Sequence, residues 1–273
     1  MGQRGRKPPS GGHRDIAEAL RRDIEAGRIE EGEELPTGKA LAEEWGVAPG
    51  TALQALRLLA SGGWATPRPR RPAIARRPPE QTVVVRDRHV YRDQLGYYFD
   101  QNAKSWRAVG EPSRGLGVPP GHVADLLGIP RGQDVIVRDR GMGPAGATVA
   151  EQLATSYITL ALADAIPALR AADTGPGGIY DRIEEVLGAI EWRETISARP
   201  ASEEERERLR LPVGAPVLVV TRTSTVRSDG RELVAEVNET RMPAERFAVA
   251  YTVERDASAR RPDDGEEEGT EVV

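Results

Sequence analysis

Between Thr37 and Leu59 two short helical patterns are separated by only Gly46-Val47-Ala48, and no other feature constrains the chain as much. Thr37 suits the cap of the first segment, Leu41, Ala42 and Trp45 share its inner face, and Gly46 can close it. Pro49, favoured in a helix's first turn, opens the second, with Ala52, Ala55, Leu56 and Leu59 on one face. Helix, three-residue turn, helix is a helix-turn-helix pattern. Upstream, Ile16, Leu20 and Ile24 recur every four residues and predict a helix stopping at Gly27. Downstream, Trp64–Ala75 reads as two extended pieces around a tip holding Arg68, Arg70 and Arg71, a β-wing. The spacing fits a DNA-binding head or a small three-helix bundle that binds no nucleic acid. The wing arginines favour the head. Its outward positions would be Thr51, Gln54 and Arg57: Gln pairs bidentately with adenine, and Arg reaches phosphate or guanine. Thr37 joins them as a candidate contact.

The charge distribution agrees with a front end that meets a polyanion, although so small an imbalance also arises by chance. Residues 1–79 hold 14 Lys/Arg against 10 Asp/Glu, while 80–254 hold 21 against 26 and 255–273 hold 3 against 7. The 273 residues suffice for one large or two modest domains. Cysteine is absent and the three His are not in metal-ligand spacing, so neither a metal nor a cofactor is expected. No apolar run approaches membrane-spanning length and Met1–Gly12 has no signal-peptide core, so a cytoplasmic protein without membrane contact is expected. The composition divides the chain into a flexible basic arm (1–12), the head (13–76), a stiff linker (77–86), a body (87–254) and a disordered acidic tail (255–273).

The body mixes β-branched runs at 83–85, 135–137 and 217–220 with helical patterns at 123–127, 158–169, 179–187 and 202–209. Asp229-Gly230 marks a hairpin, so an α+β fold on a largely antiparallel sheet is expected. Arg138 and Arg140 leave one face of a predicted strand, as a solvated pair or as an anion clamp. Thr174-Gly-Pro-Gly-Gly178 leads into a helix, as a plain turn or as an anion site of backbone N–H groups. The aromatic stretch 96–106 reads as core or pocket lid, and Glu203–Arg208 as a solvated helix face with a Glu204–Arg208 pair. No nucleophile–His–carboxylate set and no nucleotide-binding glycine motif is present.

In order and spacing these segments resemble a known family. His13–Ala75 is similar to the winged helix-turn-helix of GntR-type bacterial transcription regulators, through Ile16–Leu20, Ile24–Gly27, Leu35-Pro36-Thr37, Trp45-Gly46-Val47 and Ala55–Leu59. The body resembles the UTRA domain of the HutC-like subfamily, which has a chorismate-lyase-like fold, through Val135–Arg140, Thr155–Ile158, Thr174–Tyr180, Ser197–Arg199, Gly214–Val217 and Arg222. The resemblance implies a homodimer on a pseudo-palindromic duplex operator, half-sites about one helical turn apart or less. It further implies a repressor released by a small anionic metabolite. Arg138, Arg140, Ser156, Tyr157, Glu236 and Tyr251 would border the effector cleft, with Gly177 and Gly178 in its glycine-rich loop. The departures fall in the head. Ala48-Pro49 stands where the family has Ser-Arg, Leu53 where it has a later Arg, and Arg70-Arg71-Pro72 where the wing tip is Gly-Arg-Gly. Loss of a Ser cap costs ~1 kcal/mol. Either the operator differs or DNA binding is weakened. The alternative function is a small-molecule sensor or enzyme of chorismate-lyase-like fold with a degenerate head; the missing acid–base residues argue against an enzyme.

Overall fold

The computed structural model describes residues 11–86, 88–92, 98–99, 106–171, 173–228 and 230–259. Residues 1–10 of the expected arm, most of the aromatic stretch 96–106 and the tail beyond Ala259 lie outside them. The chain divides into two compact units between Glu80 and Gln81. The expected linker is shared between them. The Arg77 guanidinium donates to the Ile24 carbonyl at 2.9 and 3.1 Å, a cation at a helix C-terminus, whereas Thr82–Val85 is a strand of the second unit.

In the first unit α1 (His13–Glu25), α2 (Gly38–Trp45) and α3 (Pro49–Ser61) are followed by a hairpin of β1 (Ala65–Arg68) and β2 (Arg71–Ala75). Thr37 caps α2, its hydroxyl accepting from the Ala40 N–H at 3.2 Å, and Gly46 ends it with φ 63°. Pro49 starts α3 behind Ala48, which offers no side-chain cap. The core is apolar: Ile16, Ile24, Leu35, Leu41, Ala52, Ala55 and Leu59 are buried together. Glu34 bridges to Ile74, adding a third chain segment alongside β2 of the wing.

The second unit begins with β3 (Thr82–Val85), then the short pair β4 (Tyr91–Arg92) and β5 (Tyr98–Phe99). The rest runs β6 (Trp106–Gly117), α4 (Gly121–Leu127), β7 (Val135–Pro144), β8 (Gln152–Thr159), α5 (Leu160–Ala165), α6 (Gly178–Leu187), β9 (Ile190–Pro200), α7 (Glu203–Leu209), β10 (Pro216–Ser228), β11 (Arg231–Pro243) and β12 (Phe247–Ala250). Six strands form one antiparallel sheet in the order β6-β7-β8-β11-β10-β9. The fold is thus α+β with a winged head, as expected. The valine run of β3 stands apart from that sheet, paired in parallel with β12.

Side-chain alternation gives the sheet two different faces. On one, Ile136, Ile158 and Val226 pack with α5 and α6 residues Leu162, Ala163 and Ile183. On the other, Val135, Tyr157 and Val237 pack with Val123 and Leu127 of α4, and Val217 and Val219 with Leu209 of α7. The helix expected over 158–169 is shorter. Ile158 and Thr159 finish β8, Thr159 caps α5 through the Leu162 N–H, and Pro167 starts a separate 3₁₀ turn.

Candidate functional site

In the head, α3 turns Ala52, Ala55 and Leu59 inward and leaves Leu53, Gln54 and Arg57 exposed, with Thr51 half-buried at the edge of that face. Thr37 is exposed at the start of α2. Arg70 and Arg71 are exposed at the wing tip. Arg68 does not join them. Its guanidinium donates to the Pro72 carbonyl at 2.8 Å and pairs with the Glu34 carboxylate, so it braces the wing instead of extending from it. The tip keeps a left-handed residue despite Pro72, at Arg70 with φ 57°. For an L-residue that conformation costs ~1 kcal/mol.

In the body a cavity of about 250 Å³ lies on the α6 face of the sheet. Register builds its floor: Arg138 of β7 sits opposite Ser156 of β8, and Ser156 opposite Asn238 of β11. Arg140 and Glu236 are one pleat away on the same face, and all four predicted residues line the cavity. Its wall is the segment 173–175 with Gly177, and Gly178, Ile179 and Tyr180 of α6. Gly177 is the N-cap with φ 82°, and a Cβ there would lie 1.9 Å from the Asp181 carboxylate, so the turn into α6 requires glycine. Asp181 itself is held by Arg92 at 2.5 Å. The first turn of α6 therefore presents backbone N–H groups and the positive end of the helix dipole to the cavity.

The electrostatics are two-sided. Burial, then the neighbouring Arg114 and Arg140, lower the Arg138 pKa against the opposing pull of Glu236 and Asp173. Arg114 of β6 pairs directly across from Arg138, making a third cation on this face. Arg114 and Arg138 also donate to the carbonyls of Arg170 and Ala171, the latter at 2.8 Å, which ties the segment ahead of the glycine-rich loop to the sheet. Glu236 is buried, accepts from the Ser224 hydroxyl at 2.9 Å, and lies beside Tyr180. Burial and the Glu236 charge push the Tyr180 hydroxyl up. The Asn238 amide donates to Ser156 at 3.0 Å and orients it.

Two predicted cleft residues are elsewhere. Tyr157 follows Ser156 on a strand, so its ring leaves by the opposite face, buried against Val123, Leu127 and Val237, where burial pushes its hydroxyl up to about 12. Tyr251 lies just past β12, 56% exposed, with the Arg88 guanidinium 5.7 Å from its ring. Sequence reasoning missed Arg114, Asp173 and Tyr180 as members of this region. No motif marks Arg114, whose position depends on the β6–β7 register alone. Nor is the Glu203–Arg208 run only a solvated face. Arg208 pairs with Glu204 at 2.9 Å as expected, but also with Asp139 at 2.5 Å, and Glu205 is buried in a two-bond pair with Arg199 at 2.7 Å.

Among the described residues no cluster of three His, Asp or Glu is arranged to hold a metal, and no helix is long and apolar enough to cross a membrane. Residues 13–74 match the model of the bacterial regulatory proteins of the gntR family, and residues 113–248 match the UTRA domain. The HTH-type transcriptional regulator Rv0792c of Mycobacterium tuberculosis is 28% identical over 242 residues, covering 88% of this chain and 85% of that protein. A solved structure described as a GntR-family transcriptional regulator is 26% identical with a TM-score of 0.67, over 91% of this chain and 98% of its own. These similarities are to regulators and not to enzymes. Winged head and α+β body together identify the chain as a member of the GntR family of bacterial transcriptional regulators, carrying a UTRA effector domain.

Proposed function

We propose that this ligand-responsive DNA-binding regulator is a cytoplasmic homodimeric repressor whose cavity takes a small anionic metabolite, through a phosphate or carboxylate group. The observation that carries the reading is the gathering of Arg138, Arg140 and the first turn of α6 around one cavity, with Arg114 beside Arg138. Burial of the Arg138 guanidinium and repulsion from Arg114 and Arg140 raise the free energy of the empty site, and an anion offsets both. Glu236 sets the other end: a ligand that also offers a hydrogen-bond donor there is favoured over a bare anion.

In the head, Gln54 and Arg57 face base edges while Arg70 and Arg71 meet phosphates. Twofold-related heads read a pseudo-palindrome. Ligand in the cavity favours an arrangement that no longer fits the operator, and by linkage operator DNA weakens ligand binding by the same factor.

The test has two steps. Duplexes are enriched from a random pool with the full chain at ~150 mM salt, which suppresses non-specific phosphate binding. A panel of phosphorylated and carboxylated metabolites is then screened for release of the enriched duplex. Release by an anion, lost in Arg138→Ala, supports the reading; a palindrome that no anion releases, from a protein no anion stabilises against heat, refutes the effector part.

A further inference from the structure

We propose that Leu53 is a base-reading residue, making an apolar contact with the 5-methyl group of a thymine in the major groove. The inference rests on the reading of α3 as the helix that enters the groove. Leu53 lies on its exposed flank, between the buried stripe of Ala52, Ala55 and Leu59 and the polar positions Gln54 and Arg57. It is 48% exposed, with Leu56, which packs on the core, on one side of it and the exposed Arg57 on the other.

The side chain is not a free-swinging one. Leu53 Cδ2 lies 2.8 Å from where a Cβ on Gly38 would be, so the isobutyl group sits in the space that glycine leaves at the first turn of α2. One side of Leu53 is thus seated on α2 and the other is presented outward. A seated apolar group cannot satisfy a phosphate oxygen or a base donor, and covering either would leave it without a hydrogen bond. Of the groups displayed in the major groove, the thymine methyl is the apolar one. Gln54, the next residue, pairs with adenine through N6 and N7. Adjacent side chains therefore select the two halves of A·T pairs by different chemistry, a methyl contact and a bidentate hydrogen bond.

The experiment starts from the duplex enriched with the full-length protein. That duplex is remade with deoxyuridine replacing each thymidine in turn, which removes one methyl group and leaves every hydrogen-bonding edge unchanged. For the natural chain, at least one replacement weakens binding about fourfold, the value of one buried methyl group. In Leu53→Ala that dependence disappears while the preference set by Gln54 remains, and Leu53→Asn, which keeps the branched shape and length but is polar, loses it in the same way. Gln54→Ala does the reverse. Indifference to every methyl group, or an unchanged methyl dependence in both Leu53 variants, overturns the proposal while leaving α3 as the reading helix. If no duplex is enriched at all, the reading of α3 falls and this proposal with it.

Discussion

The head and the body both bury an apolar core, but the body adds buried charge to its own. The head's buried residues are Ile, Leu and Ala, drawn from three helices and a hairpin that follow one another within 63 residues, from His13 to Ala75. The body buries charge. Arg241 reaches Asp139 at 3.3 Å and the Thr155 hydroxyl, Asp139 is also held by Arg208, and Glu205 lies between Arg199 and Arg241. Burial raises the Asp139 and Glu205 pKa values, but the hydrogen bonds from Arg208 and Thr155, and from Arg199 and the Ser202 N–H, outweigh it and leave both lowered. The difference teaches that the head's buried core is apolar, its ion pairs and caps lying at its surface, whereas the body's sheet and α7 also depend on a buried network that responds to protonation.

The largest expected effects test that contrast directly. Leu41→Ala, at the centre of the head, costs about 2–5 kcal/mol of head stability from lost transfer energy and the cavity left behind. Arg241→Ala costs the body about 3 kcal/mol by leaving buried carboxylates under-compensated. Thermal unfolding followed by calorimetry, with ligand stabilisation reporting the body and duplex binding the head, shows each variant lowering its own unit. A Leu41→Ala protein whose two units lose stability equally would break the comparison.

Acid titration separates the units next. Asp139 and Glu205 have folded pKa values below those of the unfolded chain, so their contribution is complete above about pH 4–4.5 and is lost as pH falls through the lower folded values. The head also has a lowered carboxylate: Glu18 is held at about 2 by hydrogen bonds from Arg21 and Arg22. That group is exposed and screened by salt. Raising ionic strength at pH 3–4 therefore weakens the head's pair, and changes the body's acid unfolding little because Asp139 and Glu205 are shielded from solvent. A body as stable at pH 3 as at pH 7 would remove the network from the account.

Gly177→Ala comes third. A positive φ and the Asp181 carboxylate against the new Cβ together cost about 1–3 kcal/mol, concentrated at the turn into α6. Anion affinity falls more than body stability. The smallest effect belongs to the wing. Arg70→Gly relieves the left-handed strain and stabilises the head by ~1 kcal/mol, while removing the proposed phosphate contact and flattening the salt dependence of duplex binding by about one unit of slope. Arg71→Ala flattens it without the gain in stability. An unchanged salt slope in both variants removes the wing tip from the interface.

How much of this was legible in the sequence divides along the same line. The three helices of the head, their caps at Thr37 and Gly46, and the wing were all readable, because each depends on residues within a few positions of one another. In the body the cavity-facing pair Arg138 and Arg140 and the loop at Gly177 were also readable, since strand alternation and a glycine-rich turn are local facts. Ser156 and Tyr157 show where such reading fails. A segment matched as a unit carried both into the cleft, yet consecutive strand residues face opposite ways. Glu236 needs more than a period: a bulge at Ala235, where Ser224 faces Glu236 and Thr225 faces Val234, resets the alternation beside the cavity.

The sequence by itself determined the local elements and the side-chain chemistry of the helix and wing proposed to meet DNA, because capping, periodicity and turn geometry act over a few residues. Only the tertiary structure decided that Arg114 stands across from Arg138, that Arg68 turns back to Glu34, that Leu53 rests on Gly38, and that Glu205 is buried. Each depends on strand register or on packing between residues distant in the chain, and those are fixed by which pairings the whole fold can satisfy at once.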